Sequence, residues 1–335
     1  VTGWGWVPPA VSPIAPAPSV ISLRVGQGLQ AAHDELTNGG TIQLGAGTFY
    51  GDPSVGFQDF RWTNPNVSII GVGVGITTIG SPISGEVGYG RLEDVTVRPP
   101  AGAYGLRLFR DEAIHGSVNG GVPRWTVKRV YVGAADATGR DGGLGPAKGI
   151  WLDGAILGLF EQCTVAFCSD SGFFADTTSP GGVYSTNAHL FLDCTFNGNS
   201  RYGVELVGGA AEGFQFIGGN MESNLLGEVS ASTMNFVDLI GVDFETGVAV
   251  SPQVSFGGCG QCTVERCNFV TSGATKALRA ALFSTCNSCR FVRNRATGYT
   301  QLDWALFDIN CSKCEAHGNS NADGDNRFVG NRGSL

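Results

Sequence analysis

A short pattern returns along this chain at a nearly constant interval, and that interval limits the fold more than any other feature. The pattern is an apolar residue, two spacers, a small residue, one spacer and a second apolar residue. It reads Phe160-Glu-Gln-Cys163-Thr-Val165, Phe191-Leu-Asp-Cys194-Thr-Phe196 and Phe216-Ile-Gly-Gly219-Asn-Met221. It continues as Leu239-Ile-Gly-Val242-Asp-Phe244, Val264-Glu-Arg-Cys267-Asn-Phe269 and Phe291-Val-Arg-Asn294-Arg-Ala296, with a weaker copy from Cys314 to Asn319. Taking the fourth residue as anchor, the anchors fall at 163, 194, 219, 242, 267, 294 and 319, in steps of 31, 25, 23, 25, 27 and 25. Earlier copies anchored at Val95 and Val130 are separated by longer steps of 35 and 33.

Each unit is too short to bury its own apolar face, and stacking one unit on the next removes that exposure. Short alternating strands between Gly and Asn turns, repeating every 23–27 residues, predict an all-β parallel β-helix. A leucine-rich repeat has a similar period, but its Leu-x-x-Leu-x-Leu frame is missing, and a propeller blade needs about 40–45 residues. Composition agrees. The 335 residues include 52 Gly and only 15% charged residues, which excludes long helical bundles and coiled coils. A hydrophobic fraction of 42% is too high for a disordered chain. No run of about 18 apolar residues occurs to span a membrane.

The N-terminal part carries a family resemblance. Leu29-Gln-Ala-Ala32 sits in a short helical stretch, followed by Gly39-Gly40-Thr-Ile-Gln-Leu44-Gly-Ala-Gly47-Thr-Phe-Tyr50 and then Val67-Ser-Ile-Ile-Gly71-Val-Gly73. This resembles the entry segment of the pectate-lyase-like right-handed β-helix superfamily, which includes phage tailspikes. It departs from that pattern at Gly45, where a Pro is usual, and in lacking an Asp-rich lead-in. The resemblance implies a right-handed, single-stranded parallel β-helix with a short N-terminal capping helix. Residues 1–20 are Pro-rich and read as a lead-in or linker, with the β-helix over 21–335. Those first residues lack the basic start and apolar core of a signal peptide, and the chain begins Val-Thr-Gly-Trp, as a processed or excised piece would.

Three consecutive strands open with Gly and align: Gly149-Ile-Trp-Leu-Asp153, Gly172-Phe-Phe-Ala-Asp176 and Gly203-Val-Glu-Leu-Val207. Alternation places Ile150, Leu152, Phe173, Ala175, Val204 and Leu206 inside. Trp151, Phe174 and Glu205 then form one outward row, extended by Arg107, while Asp153, Asp176 and Val207 form the next. Aromatic faces beside carboxylates suit a sugar groove with acid and base groups. Asp153, Asp176 and Glu205 are the expected catalytic residues, and Arg107, Trp151, Phe174 and Tyr202 the expected substrate-binding ones. Long loops over 110–123, 133–148 and 177–187 flank the face and carry Arg110, Asp111, Glu112, His115 and Lys148. In the superfamily this strand face is the usual active face. The competing reading is a solvated ladder of carboxylates.

A second patch stacks Asn197, Glu222 and Glu245, and beside them Asn220, Asp243 and Asn268. Such oxygens on adjacent coils suit Ca²⁺. Superfamily lyases use such an ion to neutralise a uronate, with Lys or Arg as base, and Lys276 and Arg279 stand closest in sequence. A ladder satisfied by its own hydrogen bonds is the preferred reading, so no cofactor is expected, with Ca²⁺ the alternative. Three Cys-x-x-Cys pairs, Cys259/Cys262, Cys286/Cys289 and Cys311/Cys314, suggest zinc ligation by spacing alone. They recur at steps of 27 and 25, the coil period itself, which favours stacked small core residues; disulfides stay open as an alternative.

The formal net charge is −8 and only four Lys occur, which argues against nucleic acid as partner. The chain after Asn319 shows no capping helix. An open last coil exposes strand edges, so a homo-oligomer, a trimer by superfamily habit, or a longer chain is expected. Together these features lead to a protein of the extracellular space or virion surface that binds and cleaves polysaccharide. The alternatives are a Ca²⁺-dependent uronate lyase and a non-catalytic spike or adhesin.

Overall fold

A computed structural model describes residues 19–54, 58–109, 122–143, 145–176, 186–208, 212–246, 252–272, 279–299, 305–308, 310–321 and 330–331. Every strand pairing between coils is parallel, and each strand pairs with its counterpart one coil away. This is the parallel β-helix that the repeat demands. The helix Leu29–Glu35 covers the first coils and buries Leu29 and Ala32. A second helix, Ala137–Asp141, lies between the strands Thr126–Gly133 and Lys148–Asp153, where the sequence indicated only a loop.

The interior is built from like residues stacked in register. Phe160, Phe191 and Phe216 pair in sequence across three coils, with ring centroids 4.6 and 4.4 Å apart and nearly parallel planes. Phe256, Phe283 and Phe307 form a second column at 5.1 and 4.5 Å. Each such aromatic pair contributes about 0.5–1.5 kcal/mol beyond its buried area.

The corners explain the anchors. The residue immediately before each anchor has left-handed backbone, as in Asp94, Arg129, Gln162, Asp193, Arg266 and Arg293, with φ between 49° and 57°. That bend turns the chain between two short strands and tucks the next side chain inward, where only a small residue fits. Nine of the ten cysteines follow a residue of this kind. The thiols are unbridged, all buried except Cys314. They donate to carbonyls of the preceding coil: Cys163 to Val127 at 3.3 Å, Cys267 to Leu239 at 3.3 Å, Cys286 to Phe256 at 3.4 Å. Asn294 and Asn319 do the same work through their amides, donating to Val264 and Phe291 at 3.0 and 2.8 Å.

The coil does not stop at Asn319. Ser320–Asn321 and Gly330–Asn331 pair with the strands one coil earlier.

Candidate functional site

Among the described residues, one face of the solenoid is an eleven-strand ladder running from Phe60–Trp62 to Gly330–Asn331. Its register forms the outward rows read from the sequence. Trp151 pairs with Arg107 on one side and Phe174 on the other, and Phe174 pairs with Glu205. Asp153 and Asp176 follow directly after the paired Leu152 and Ala175. The inward residues Ile150, Leu152, Phe173, Ala175, Val204 and Leu206 are buried.

Cations and rings interleave on this face. The Trp151 and Phe174 rings meet edge to face at 6.2 Å, and Tyr104 meets Trp151 at 6.3 Å. The Arg107 guanidinium lies 4.1 Å from the Trp151 ring and 4.3 Å from Phe109. Its Nη2 donates to Asp153 Oδ2 at 3.0 Å. Lys148 Nζ sits 4.3 Å over the Phe174 ring and 3.4 Å from Asp170 Oδ2. Trp151 Nε1 and Arg107 Nε are buried donors without an acceptor.

Glu205 corrects the sequence reading. It occupies the outward row as expected but is only 4% exposed. Ser171 Oγ donates to its Oε2 at 2.6 Å, and Arg201 Nη2 reaches its Oε1 at 3.0 Å. A side chain four positions earlier folds over it, so both oxygens are engaged. Tyr202 is half-buried at the start of its strand, two residues ahead of Val204, with the Arg201 guanidinium 5.6 Å from its ring. It flanks the Trp151 row and does not lie in it.

Sequence reasoning overlooked Tyr104, Asp170, Ser171 and Arg201. Each stands just before a strand-opening Gly, and the alignment began at that Gly; the three positions ahead of it carry the signal. Arg110, Asp111, Glu112 and His115 lie outside the described residues. Among the described residues, Arg107, Lys148 and Arg201 face Asp153, Asp170, Asp176 and Glu205, with no excess of positive charge.

The second patch lies on the other sheet. Asn197, Glu222 and Glu245 stack in register, as do Asn220, Asp243 and Asn268. Asn268 Nδ2 donates to Asp243 Oδ1 at 2.8 Å, presenting an N–H where a cation would need a lone pair. Among the described residues, no group of three or more His, Cys, Asp or Glu side chains comes together to hold a metal ion. Lys276 lies outside the described residues.

No protein-family model matches the sequence, and no curated protein matches it. Solved structures do. The mannuronan C-5 epimerase AlgE6 A-module of Azotobacter vinelandii superposes with a TM-score of 0.59 at 14% identity, over 88% of this chain and 96% of that one. The AlgE4 A-module of the same organism gives 0.57 at 15% identity, over 91% and 93%. A tailspike of Acinetobacter baumannii bacteriophage Fri1, a capsular polysaccharide depolymerase, gives 0.50 at 13% identity, over 94% of this chain and 63% of that one. The chain is a parallel β-helix protein. At these identities the likeness is one of fold, the fold the N-terminal motif implied.

Proposed function

We propose that this β-helix protein binds a polysaccharide along its eleven-strand face and cleaves it there. The observation that carries the reading is the in-register row Arg107–Trp151–Phe174, with carboxylates in the neighbouring row. Ring faces pack against the apolar faces of sugars. Asp176 delivers a proton to the leaving oxygen. Asp153, oriented by Arg107, acts on water or on the anomeric carbon. The two rungs are about 4.8 Å apart at the backbone, which suits a carboxylate pair flanking one glycosidic bond. Glu205, with both oxygens engaged, positions Arg201 beside Tyr202.

The proteins that share the fold support the reading, since two are named for action on mannuronan and one for depolymerising a capsule. On this reading the protein works outside cells or on a virion. No helix among the described residues is long and apolar enough to cross a membrane.

The test is a polysaccharide panel with wild type, Asp176→Asn and Trp151→Ala. We expect wild type to release new reducing ends, Asp176→Asn to bind without cleaving, and Trp151→Ala to lose binding. An unsaturated, ultraviolet-absorbing product would replace hydrolysis by elimination. Binding without any product would make the protein a passive spike.

A further inference from the structure

The row that carries Trp151 continues past Arg107. It runs through Ser84 to Arg61, in register on successive coils. At that end the strand Phe60–Trp62 lies beside the capping helix, and two concavities of about 570 and 400 Å³ open there, sharing Gln30, Gln58 and Asp59. Arg61 and Thr63 complete the larger one.

Its wall is already organised. Gln30 is clamped at both ends of its amide, Nε2 donating to the Arg61 carbonyl at 3.0 Å and Oε1 accepting from the Arg61 N–H at 2.8 Å. The Arg61 guanidinium is held by the buried Glu86, with Nη2 at 2.7 Å from Oε1, while its own side chain stays 58% exposed. Asp59 accepts from the Tyr104 hydroxyl at 2.5 Å, and that hydroxyl also contacts Ser84 Oγ at 2.5 Å. Tyr104 in turn packs on Trp151. One chain of contacts therefore joins the aromatic row to the concavity.

An exposed amide, a hydroxyl, one carboxylate and a guanidinium already paired with Glu86 are groups that recognise hydroxyls. We infer that this concavity is a distal subsite for a hydroxyl-rich sugar unit, occupied when a glycan seated on Trp151 and Phe174 extends toward the capping helix. The inference rests on the proposed function. From Phe174 to Arg61 there are four coil steps, about 19 Å at the usual strand spacing. A short fragment cannot fill both places, and a long one does.

The experiment measures binding of trisaccharides and octasaccharides, in parallel maltooligosaccharide and mannuronan series, to the full chain carrying Asp176→Asn so that nothing is cleaved. In the series that binds, the octasaccharide should bind about tenfold more tightly than the trisaccharide, as two added hydrogen bonds would give. Adding Gln58→Ala and Thr63→Ala should reduce that advantage below about threefold and leave the trisaccharide unchanged. Gln58 is exposed, so its truncation leaves the fold intact, which a melting curve checks. Equal affinity for both lengths, or a length advantage that survives the two substitutions, overturns the subsite alone. No binding by either series at either length, together with no product from the polysaccharide panel, overturns the proposed function, and the subsite with it.

Discussion

Arg107 and Asp153 stand in adjacent rows on adjacent coils, and a hydrogen bond of 3.0 Å from Nη2 to Oδ2 crosses between them. The same guanidinium lies against the Trp151 and Phe109 rings at 4.1 and 4.3 Å. One planar cation thus fixes both an aromatic surface and a carboxylate. Lysine cannot reproduce this, since its ammonium is a point charge that does not stack. Arg107→Lys should lower affinity for the cleaved glycan about tenfold, because the Trp151 ring and the Asp153 carboxylate lose the planar cation that positions them. Calorimetry on the Asp176→Asn background reads this out. Unchanged affinity would remove Arg107 from the binding face.

Glu205 should behave as a structural carboxylate. Truncating it leaves the Ser171 hydroxyl and the Arg201 guanidinium without their buried acceptor. Glu205→Ala should cost about 2–3 kcal/mol of stability. Glu205→Gln keeps the shape and the Ser171 bond, and should cost about 1 kcal/mol. Denaturant titration separates the two. If Glu205→Gln instead abolishes cleavage with no loss of stability, Glu205 is an acid or base in its own right.

Much of this arrangement was legible from spacing alone. Phe160, Phe191 and Phe216 announce a stacked interior because they recur with the coil period, and Trp151 and Phe174 fall into one row because both follow a strand-opening Gly by two residues. The corners were less legible. Asp94, Arg129, Gln162 and Arg266 adopt left-handed backbone without being Gly, held there by pairing on both sides, so their sequence gives no turn signal. The burial of Glu205 escaped for another reason. A long Arg201 side chain covers it, and alternation tells which way a side chain leaves the sheet, not what folds over it.

Two buried titratable groups give opposite pH dependence. His189 lies between Phe160 and Phe214, accepts from the Gly158 N–H and contacts the Ala155 carbonyl, and burial lowers its pKa to about 4. The unfolded chain takes up that proton near 6.5, so stability is lost as pH falls from about 6.5 to about 4. Burial raises Glu228 to about 8, although Asn224 Nδ2 donates to it; its Oε1 has no hydrogen-bond partner. Here the native state holds the extra proton, so stability falls as pH rises from about 4.5 to about 8. Glu228→Gln should therefore raise the melting temperature at pH 8 by several degrees, leave it nearly unchanged at pH 4, and flatten the curve between. A melting temperature that responds equally at both pH values would show that Glu228 is not protonated in the folded protein.

The left-handed corners can be tested directly. Gly241 precedes the anchor Val242 with φ 64°, and a Cβ there would meet nothing within 4 Å. Backbone conformation, not space, is the constraint. Asn enters this region readily, whereas a β-branched residue does so at a cost that Thr233 and Thr285 bear at other corners. Gly241→Asn should change stability by less than about 0.5 kcal/mol, while Gly241→Val should cost about 1–2 kcal/mol. Equal effects would mean that the bend relaxes to accept a side chain, and the anchor would lose its explanation.

The thiols follow from the same geometry. Cys267 is buried after the left-handed Arg266, and burial pushes its thiol up to about 12, so it is no nucleophile at neutral pH. Its Sγ donates to Leu239 O at 3.3 Å, and Asn294 Oδ1 accepts from its backbone N–H at 2.9 Å. The next two anchors of the column, Asn294 and Asn319, place an amide in the same role. Cys267→Asn should therefore extend the amide column by one coil and stay within about 1 kcal/mol of wild type. Cys267→Ala removes the thiol hydrogen bond to the Leu239 carbonyl and leaves a small void, and should cost about 1–2 kcal/mol. A thiol reagent added to the folded protein should modify the half-exposed Cys314 first and reach the buried thiols, Cys267 among them, only on unfolding. If Cys267 reacts in the folded state, or if elemental analysis finds about one zinc per chain, these thiols are ligands or reactive groups and not corner residues.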